Sequence, residues 1–263
     1  MQKGIDVSKW QGTINWQSVA ADGVEFAMIR LGYGTKNGGV SDPKFRQNVE
    51  GALAAGIDAG VYFYGTAVTE EAARAEAHFV LTALEPYRGR LAYPVAYDVE
   101  DSVQETLTKN KLTAVIAAFC DTVRAAGWYP MVYTSRYWLE NKVYPAQIQA
   151  DVWLAQWAQE ATYAGEYGLW QCSDSAAVRG IAGNVDLDIA YEDYPARIRD
   201  GGYNGFGKRD PLAEIPEWAR ESVRWAVENG ILQGGTEGLM PDAVCTRQEL
   251  CVFLKRLYDL TQI

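Results

Sequence analysis

Residues 93–134 read YPVAYDVEDSVQETLTKNKLTAVIAAFCDTVRAAGWYPMVYT, and this stretch decides the fold. Tyr93–Asp98 is a short β-rich run. Lys111–Ala126 then repeats apolar residues at helical spacing: Leu112, Val115, Ile116, Phe119, Cys120 and Val123 fall at i, i+3, i+4, i+7, i+8 and i+11. Tyr129–Thr134 returns to a β-rich run. Strand, helix and strand in about forty residues is the unit that builds a parallel sheet.

Outward from it, the same alternation fills the first two hundred residues. β-rich runs occur at Gly4–Ser8, Glu25–Leu31, Gly60–Tyr64, Asp151–Trp157, Leu169–Ser173 and Asp186–Tyr191. A second helical pattern covers Glu70–Leu84 with Thr69 as its N-cap. After Trp157 the spacing leaves no room for long helices, so loops are expected to join the last strands. Eight strands alternating with helices predict an α/β chain of TIM-like (β/α) barrel form, built from parallel strands. An open doubly wound sheet is the rival, but no G-x-G-x-x-G follows the first strand.

Composition then shifts. Residues 196–211 are rich in glycine and basic residues and read as a linker between a domain over 1–195 and a module over 212–263. In that module one helical pattern covers Glu217–Asn229 and stops at Gly230. A second starts at T-R-Q-E, where Thr246 and Glu249 form a capping box, and would bury Leu250, Phe253, Leu254 and Leu257. About fifty residues make a small core, so this helical module is expected to be marginal alone or to form a homo-oligomer.

The 263 residues carry a net charge of −10, which argues against a nucleic-acid or anionic-membrane partner. No apolar run is long enough to span a membrane. Four cysteines without C-x-x-C and one histidine, His78, make a zinc site, a disulfide scaffold and a Ser-His-Asp machine poor readings; no cofactor or metal is expected. The abundant carboxylates remain as acid–base equipment. Asp6, Asp98, Glu100 and Asp186 each lie at or near the C-terminal end of an expected strand, the rim where barrel enzymes gather catalytic groups. Asp98 and Glu100, at i and i+2 of an extended segment, point to one face with Cα atoms about 6–7 Å apart. Neighbouring carboxyls titrate apart, one protonated while the other is ionised, which is what cleavage of a glycosidic bond requires. Such pairs also occur as solvated rim charges or helix caps, and Asp6 can cap a turn. Of Asp186 and Asp188, one is expected to face inward. Asp101 and Glu105 read as helix-start or loop charges. Tyr62, Tyr64, Tyr133 and Trp153 fall in strands, where core packing and sugar stacking are both open.

The motifs DVSKWQG, RLGYG, YDVED, VYTSRYW, WLAQW and LWQCS…VRGIAGNVDLD together resemble the family-25 glycoside hydrolases, bacterial and phage lysozymes that cut the β-1,4 bond between N-acetylmuramic acid and N-acetylglucosamine. The resemblance covers about residues 1–194 and implies a barrel with eight strands and about five helices. It implies that Glu100 protonates the leaving group, that Asp98 orients or stabilises the substrate N-acetyl group as it attacks the anomeric carbon, and that Asp6 and Asp186 are the outer carboxylates. A direct nucleophile or a base for water is also open for Asp98. Tyr62, Tyr64, Tyr133 and Trp153 fall on groove-lining positions. Where many members carry a histidine after the third-strand tyrosine, this chain has Phe63.

The tail resembles one surface-layer homology motif, which implies a secondary cell-wall polymer as a further partner beside peptidoglycan glycan strands. Its expected contacts are Trp218, Gly234, Thr246 and Arg247; Gln248 stands where alanine is usual. The enzyme so implied is a peptidoglycan hydrolase, an N-acetylmuramidase acting on the bacterial wall. A non-catalytic wall-binding or surface-layer protein, or a glycosidase on another N-acetylhexosamine polymer, are the alternatives. No apolar segment of signal type follows Met1, so synthesis in a host cytoplasm and release at lysis, or export by another route, is expected.

Overall fold

Along each strand of the first unit, alternate residues face opposite sides of one sheet, and the sequence supplies a different apolar set to each side. In a computed structural model describing residues 1–35, 38–207, 215–233 and 244–260, the chain folds as two compact units, Met1–Lys208 and Arg209–Ile263.

The first unit runs β1 (Gln2–Val7), α1 (Trp16–Ala21), β2 (Phe26–Thr35), β3 (Gly38–Ser41), α2 (Phe45–Ala54), β4 (Asp58–Tyr64), α3 (Glu70–Leu84), β5 (Val95–Asp98), α4 (Ser102–Glu105), α5 (Lys109–Ala125), β6 (Pro130–Ser135), α6 (Arg136–Asn141), β7 (Asp151–Ala155), β8 (Leu169–Ala176), β9 (Val185–Ala190) and α7 (Tyr194–Gly201). The sheet order is β1-β9-β8-β7-β6-β5-β4-β2-β3, and a parallel β1–β2 pairing closes it. Eight strands thus form a barrel, with β3 folded back on β2 as a hairpin outside the closure. Five crossovers carry helix, from β1 through β7, and the two later connections are loops among the described residues.

One expectation needs correction. β9 pairs antiparallel with both β8 and β1, so the barrel is not wholly parallel. The cause is the short connection after β8: without a crossover the chain can only turn back. Asp186 therefore lies near the start of β9, not its C-terminal end. Because β9 runs in reverse, its start lies on the same rim as the C-terminal ends of the other strands.

Two cores result. Val95 and Tyr97 of β5, Val61 and Phe63 of β4 and Val132 of β6 face the helices, where Leu112, Val115, Ile116, Phe119, Cys120 and Val123 of α5 meet them. All six of those α5 residues are buried, as the helical spacing predicts. Inside the barrel, Phe26, Met28, Tyr93, Ala96, Met131, Tyr133, Trp153 and Leu169 fill the lumen. Glycine makes room there: a Cβ on Gly4 would lie 2.2 Å from the Phe26 ring. A packed lumen, not a pore, lies beneath the rim.

The linker expected over 196–211 is also corrected, over its described part, residues 196–207. α7 packs Tyr194 and Ile198 against the lumen cluster. Asn204, fully buried at φ 55°, donates to Leu91 O (2.8 Å) and Tyr93 O (3.0 Å) and accepts from Tyr129 N (2.8 Å). Glycine-rich composition here serves tight turns that close the barrel bottom.

The second unit contains α8 (Glu217–Glu228) and α9 (Arg247–Leu260). The capping box is formed: Thr246 N and Oγ1 donate to Glu249 Oε2 at 2.7 and 2.8 Å, and Glu249 N donates back to Thr246 Oγ1 at 3.2 Å. The burial expected for α9 is not found. Leu250, Leu254 and Leu257 are exposed and Phe253 is half-buried, because neither described helix supplies a face that covers them.

Candidate active site

The rim layer is fixed by register. Tyr64 pairs with Asp98, Asp98 with Tyr133, Gln171 with Asp188, and Asp186 with Asp6. Facing inward at alternate positions, these strands bring Asp6, Asp98, Asp186 and Asp188 to the mouth, with Glu100 just beyond the end of β5. The four carboxylates singled out in the sequence thus meet. Both Asp186 and Asp188 point inward, not one of them, since residues two apart on a strand share a face.

Asp98 is 3% exposed, and its Oδ1 has no hydrogen-bond partner within the chain. Burial pushes its carboxyl well up; the Glu100 carboxylate adds to this and Arg30 opposes it. Glu100 is exposed at the rim, yet partial desolvation raises it too, with Arg30 again opposing and Asp186 reinforcing. Asp6 is raised well above the usual range by burial and then by Asp188 and Asp186, while a hydrogen bond from Gln171 lowers it. Asp188, wholly buried, is raised by burial and eased by Trp153, whose Nε1 donates to Oδ1 at 2.8 Å. A crowd of acids this close cannot ionise together, so the cluster retains protons above the ordinary carboxylate range. This supplies an acid and an anion side by side.

Arg30 is the cation that faces Asp98 and Glu100. It lies under the rings of Tyr33 and Tyr64, 5.8 and 5.3 Å from their centroids, with its buried Nε unpartnered. Sequence reading missed it. The signal was available: Phe26, Met28 and Arg30 share one face of β2, so the cation had to point into the barrel.

Of the aromatic residues expected to line a groove, Tyr62 and Tyr64 are half-buried at the mouth and Tyr133 is 8% exposed. Trp153 is a correction. At 1% exposure it cannot offer a ring face to a sugar; it lies edge-on to Tyr62 and Tyr133, with centroids at 6.0 and 4.6 Å, and supports them from below. Phe63 faces the helical layer between Phe79 and Phe119, so its departure from histidine lies outside the mouth. Asp101 caps α4 by accepting from Val103 N at 2.9 Å, as a helix-start charge should. In the second unit Trp218 is 86% exposed, Thr246 is engaged in its capping box and Arg247 is exposed. Gly234 lies outside the described residues.

An eight-stranded barrel with reversed last strand and an acid cluster under its mouth defines a class of α/β barrel with a carboxylate-lined mouth. The chain belongs to the glycosyl hydrolases family 25, whose family model matches residues 5–181. A second model, the S-layer homology domain, matches residues 212–251. Lysozyme M1 of Streptomyces globisporus is 26% identical over 198 residues, covering 70% of this chain and 66% of that protein. The autolytic lysozyme of Clostridium acetobutylicum is 27% identical over 192 residues, covering 71% and 55%. The modular autolysin LytC of Streptococcus pneumoniae superposes with a TM-score of 0.63 at 29% identity, over 72% of this chain and 46% of that one. The chain therefore spans roughly half to two thirds of the length of these relatives.

Proposed function

We propose that the chain is a peptidoglycan hydrolase, an N-acetylmuramidase that cuts the β-1,4 bond between N-acetylmuramic acid and N-acetylglucosamine in bacterial walls. The observation that carries this reading is the acid cluster at the barrel mouth, in a chain of the glycosyl hydrolases family 25. Glu100, exposed and held above its ordinary range, is the proton donor to the leaving oxygen. Asp98, on the floor beside Arg30, is the group that meets the substrate N-acetyl as its carbonyl oxygen attacks the anomeric carbon. Positive charge that develops at the sugar ring is then faced by the cluster's anions. Tyr62 and Tyr64 line the approach, and Asp6 and Asp186 tune the proton affinity of the inner pair.

The second unit is read as a wall-anchoring module, with Trp218, Thr246 and Arg247 as contacts to a secondary wall polymer. Together they describe an enzyme that works on the bacterial envelope.

Digestion of purified walls followed by mass spectrometry of the products tests the reading. New reducing ends on N-acetylmuramic acid are expected. Wall binding without new reducing ends would instead indicate a non-catalytic binding protein, and cleavage confined to chitin-like polymers a different glycosidase.

A further inference from the structure

The side-chain amide of Gln171, 4% exposed, lies between the acid cluster and the surface of the mouth. Its Nε2 donates to Asp6 Oδ2 at 2.7 Å. Its Oε1 accepts from Tyr133 Oη and from Trp157 Nε1, both at 2.9 Å. A tyrosine hydroxyl can donate or accept, but an indole N–H can only donate. Trp157 therefore determines which way round the amide lies: the carbonyl must face the indole, and the NH₂ must face Asp6. An amide NH₂ accepts nothing, so this contact favours the ionised form of Asp6 and turns any proton that Asp6 keeps away from the amide.

On its other side Asp6 is in hydrogen-bonding contact with both Asp188 and Asp186. Asp188 Oδ1 accepts from the Trp153 indole, and its Oδ2 is buried without a donor. These contacts favour the ionised forms of Asp188 and Asp186, while burial and the neighbouring acids raise Asp6. A one-way donor chain thus reaches Asp6 from Trp157 through Gln171. Trp157 is 60% exposed, just beyond the end of β7, so the head of this chain is open to anything that enters the mouth.

We propose that Gln171 is a positioning residue for the reaction: held in one orientation by the Trp157 indole N–H, its amide donates to Asp6 Oδ2 and favours the ionised form of that carboxyl, so the proton affinity of the acid cluster is set in part from an exposed tryptophan at the mouth. The proposal rests on the glycosidase reading of the cluster. The other charged and titratable groups around Asp6 are Asp186 on β9, Asp98 on β5, Tyr62 on β4 and Tyr133 on β6, with Arg30 on β2 facing Asp98.

The test is carboxyl-carbon NMR titration of the full chain labelled at aspartate, with the Asp6 signal assigned through Asp6→Asn. Gln171→Met removes the donor to Asp6, so the Asp6 midpoint is expected to rise by about 1–2 pH units. Trp157→Phe keeps an aromatic face but deletes the N–H, which frees the amide to turn. Its Asp6 midpoint is expected to rise in the same direction by a smaller amount. The pH profile of kcat/KM on walls should move with it while KM holds. A merely structural or stacking role for Trp157 would leave both profiles unmoved in Trp157→Phe. An Asp6 midpoint in Trp157→Phe equal to that of the unsubstituted chain overturns the proposal. Should Gln171→Met fail to fold, Trp157→Phe, altered at an exposed ring, still decides the matter. The NMR arm reads the relay whether or not walls are cleaved, so a chain that releases no reducing ends removes the glycosidase reading and leaves the relay to be judged on its midpoints.

Discussion

Asp6 and Asp186 stand opposite each other across the antiparallel seam between β1 and β9. Like charges directly opposed on neighbouring strands repel, which favours a proton held between them. Both carboxyls are raised by burial, and Asp6 also feels Asp188 and Asp98. The reversal of β9 creates this arrangement: a parallel last strand would carry these acids to the opposite end of the barrel.

Glu100→Gln keeps the shape of the proposed donor and removes its proton. Wall lysis followed by turbidity is expected to fall by roughly 10²–10⁴-fold, with an unchanged thermal melt. Near-normal turnover in this variant would remove the acid assignment. Asp98→Asn should also cost heavily, through loss of the anion on the floor.

With Glu100 as the proposed donor, its protonated form is the competent one, so activity is expected to be lost as pH rises through its folded value, which desolvation holds above the ordinary carboxylate range. Arg30 favours the ionised form of both Glu100 and Asp98. Arg30→Gln should therefore move the alkaline limb of kcat/KM upward, by up to about 1 pH unit given the exposure of Glu100. A downward shift would show that Arg30 acts on the profile by some other route.

Asp188 gives a stability test. Unfolded, it releases its proton near 3.8; folded, it does so only at higher pH. The folded state therefore binds more protons between the two values, and stability falls as pH rises through that window. Asp188→Asn puts a neutral group of the same shape in its place, one that can still accept from Trp153. It is expected to raise stability at pH 7 by on the order of 1 kcal/mol, with the gain vanishing below about pH 4. Urea melts at both pH values would check this, and a loss at pH 7 would contradict it.

These residues also mark what could be read from sequence. The eight barrel strands, α3 from its Thr69 cap, and α5 from its apolar stripe follow from periodicity and capping, which are local. Direction is not local: nothing in NVDLD distinguishes a strand running up from one running down, so the reversal of β9 needed the whole sheet. β3 was hidden because GGVS offers no apolar alternation. Arg30 and Asp188 were within reach of the same alternation rule that selected Asp98. Trp153 was not, because a strand aromatic looks the same whether it supports a groove or lines it.

Asn204 shows how composition can mislead. Its side chain satisfies two buried carbonyls and one backbone N–H from two separate loops. Asn204→Ala leaves those groups unpaired and is expected to cost roughly 3 kcal/mol, measured by chemical denaturation. A cost within about 0.5 kcal/mol, usual for surface positions, would return this segment to the status of a linker.

Truncation separates barrel closure from wall targeting. A chain ending at Pro195 loses most of α7 together with Ile198 and Asn204, both fully buried, and should fail to melt cooperatively. A chain ending at Gly207 keeps them. It should melt like the barrel of the full chain and cleave small soluble glycan fragments at an undiminished rate. If the second unit anchors the enzyme to walls, the same chain should sediment less with purified walls and clear them more slowly, because local concentration at an insoluble substrate is what an anchor supplies. Equal sedimentation and equal clearance would leave the exposed leucines of α9 without a role in wall binding, and a change only in the mass found by light scattering would assign them to self-association.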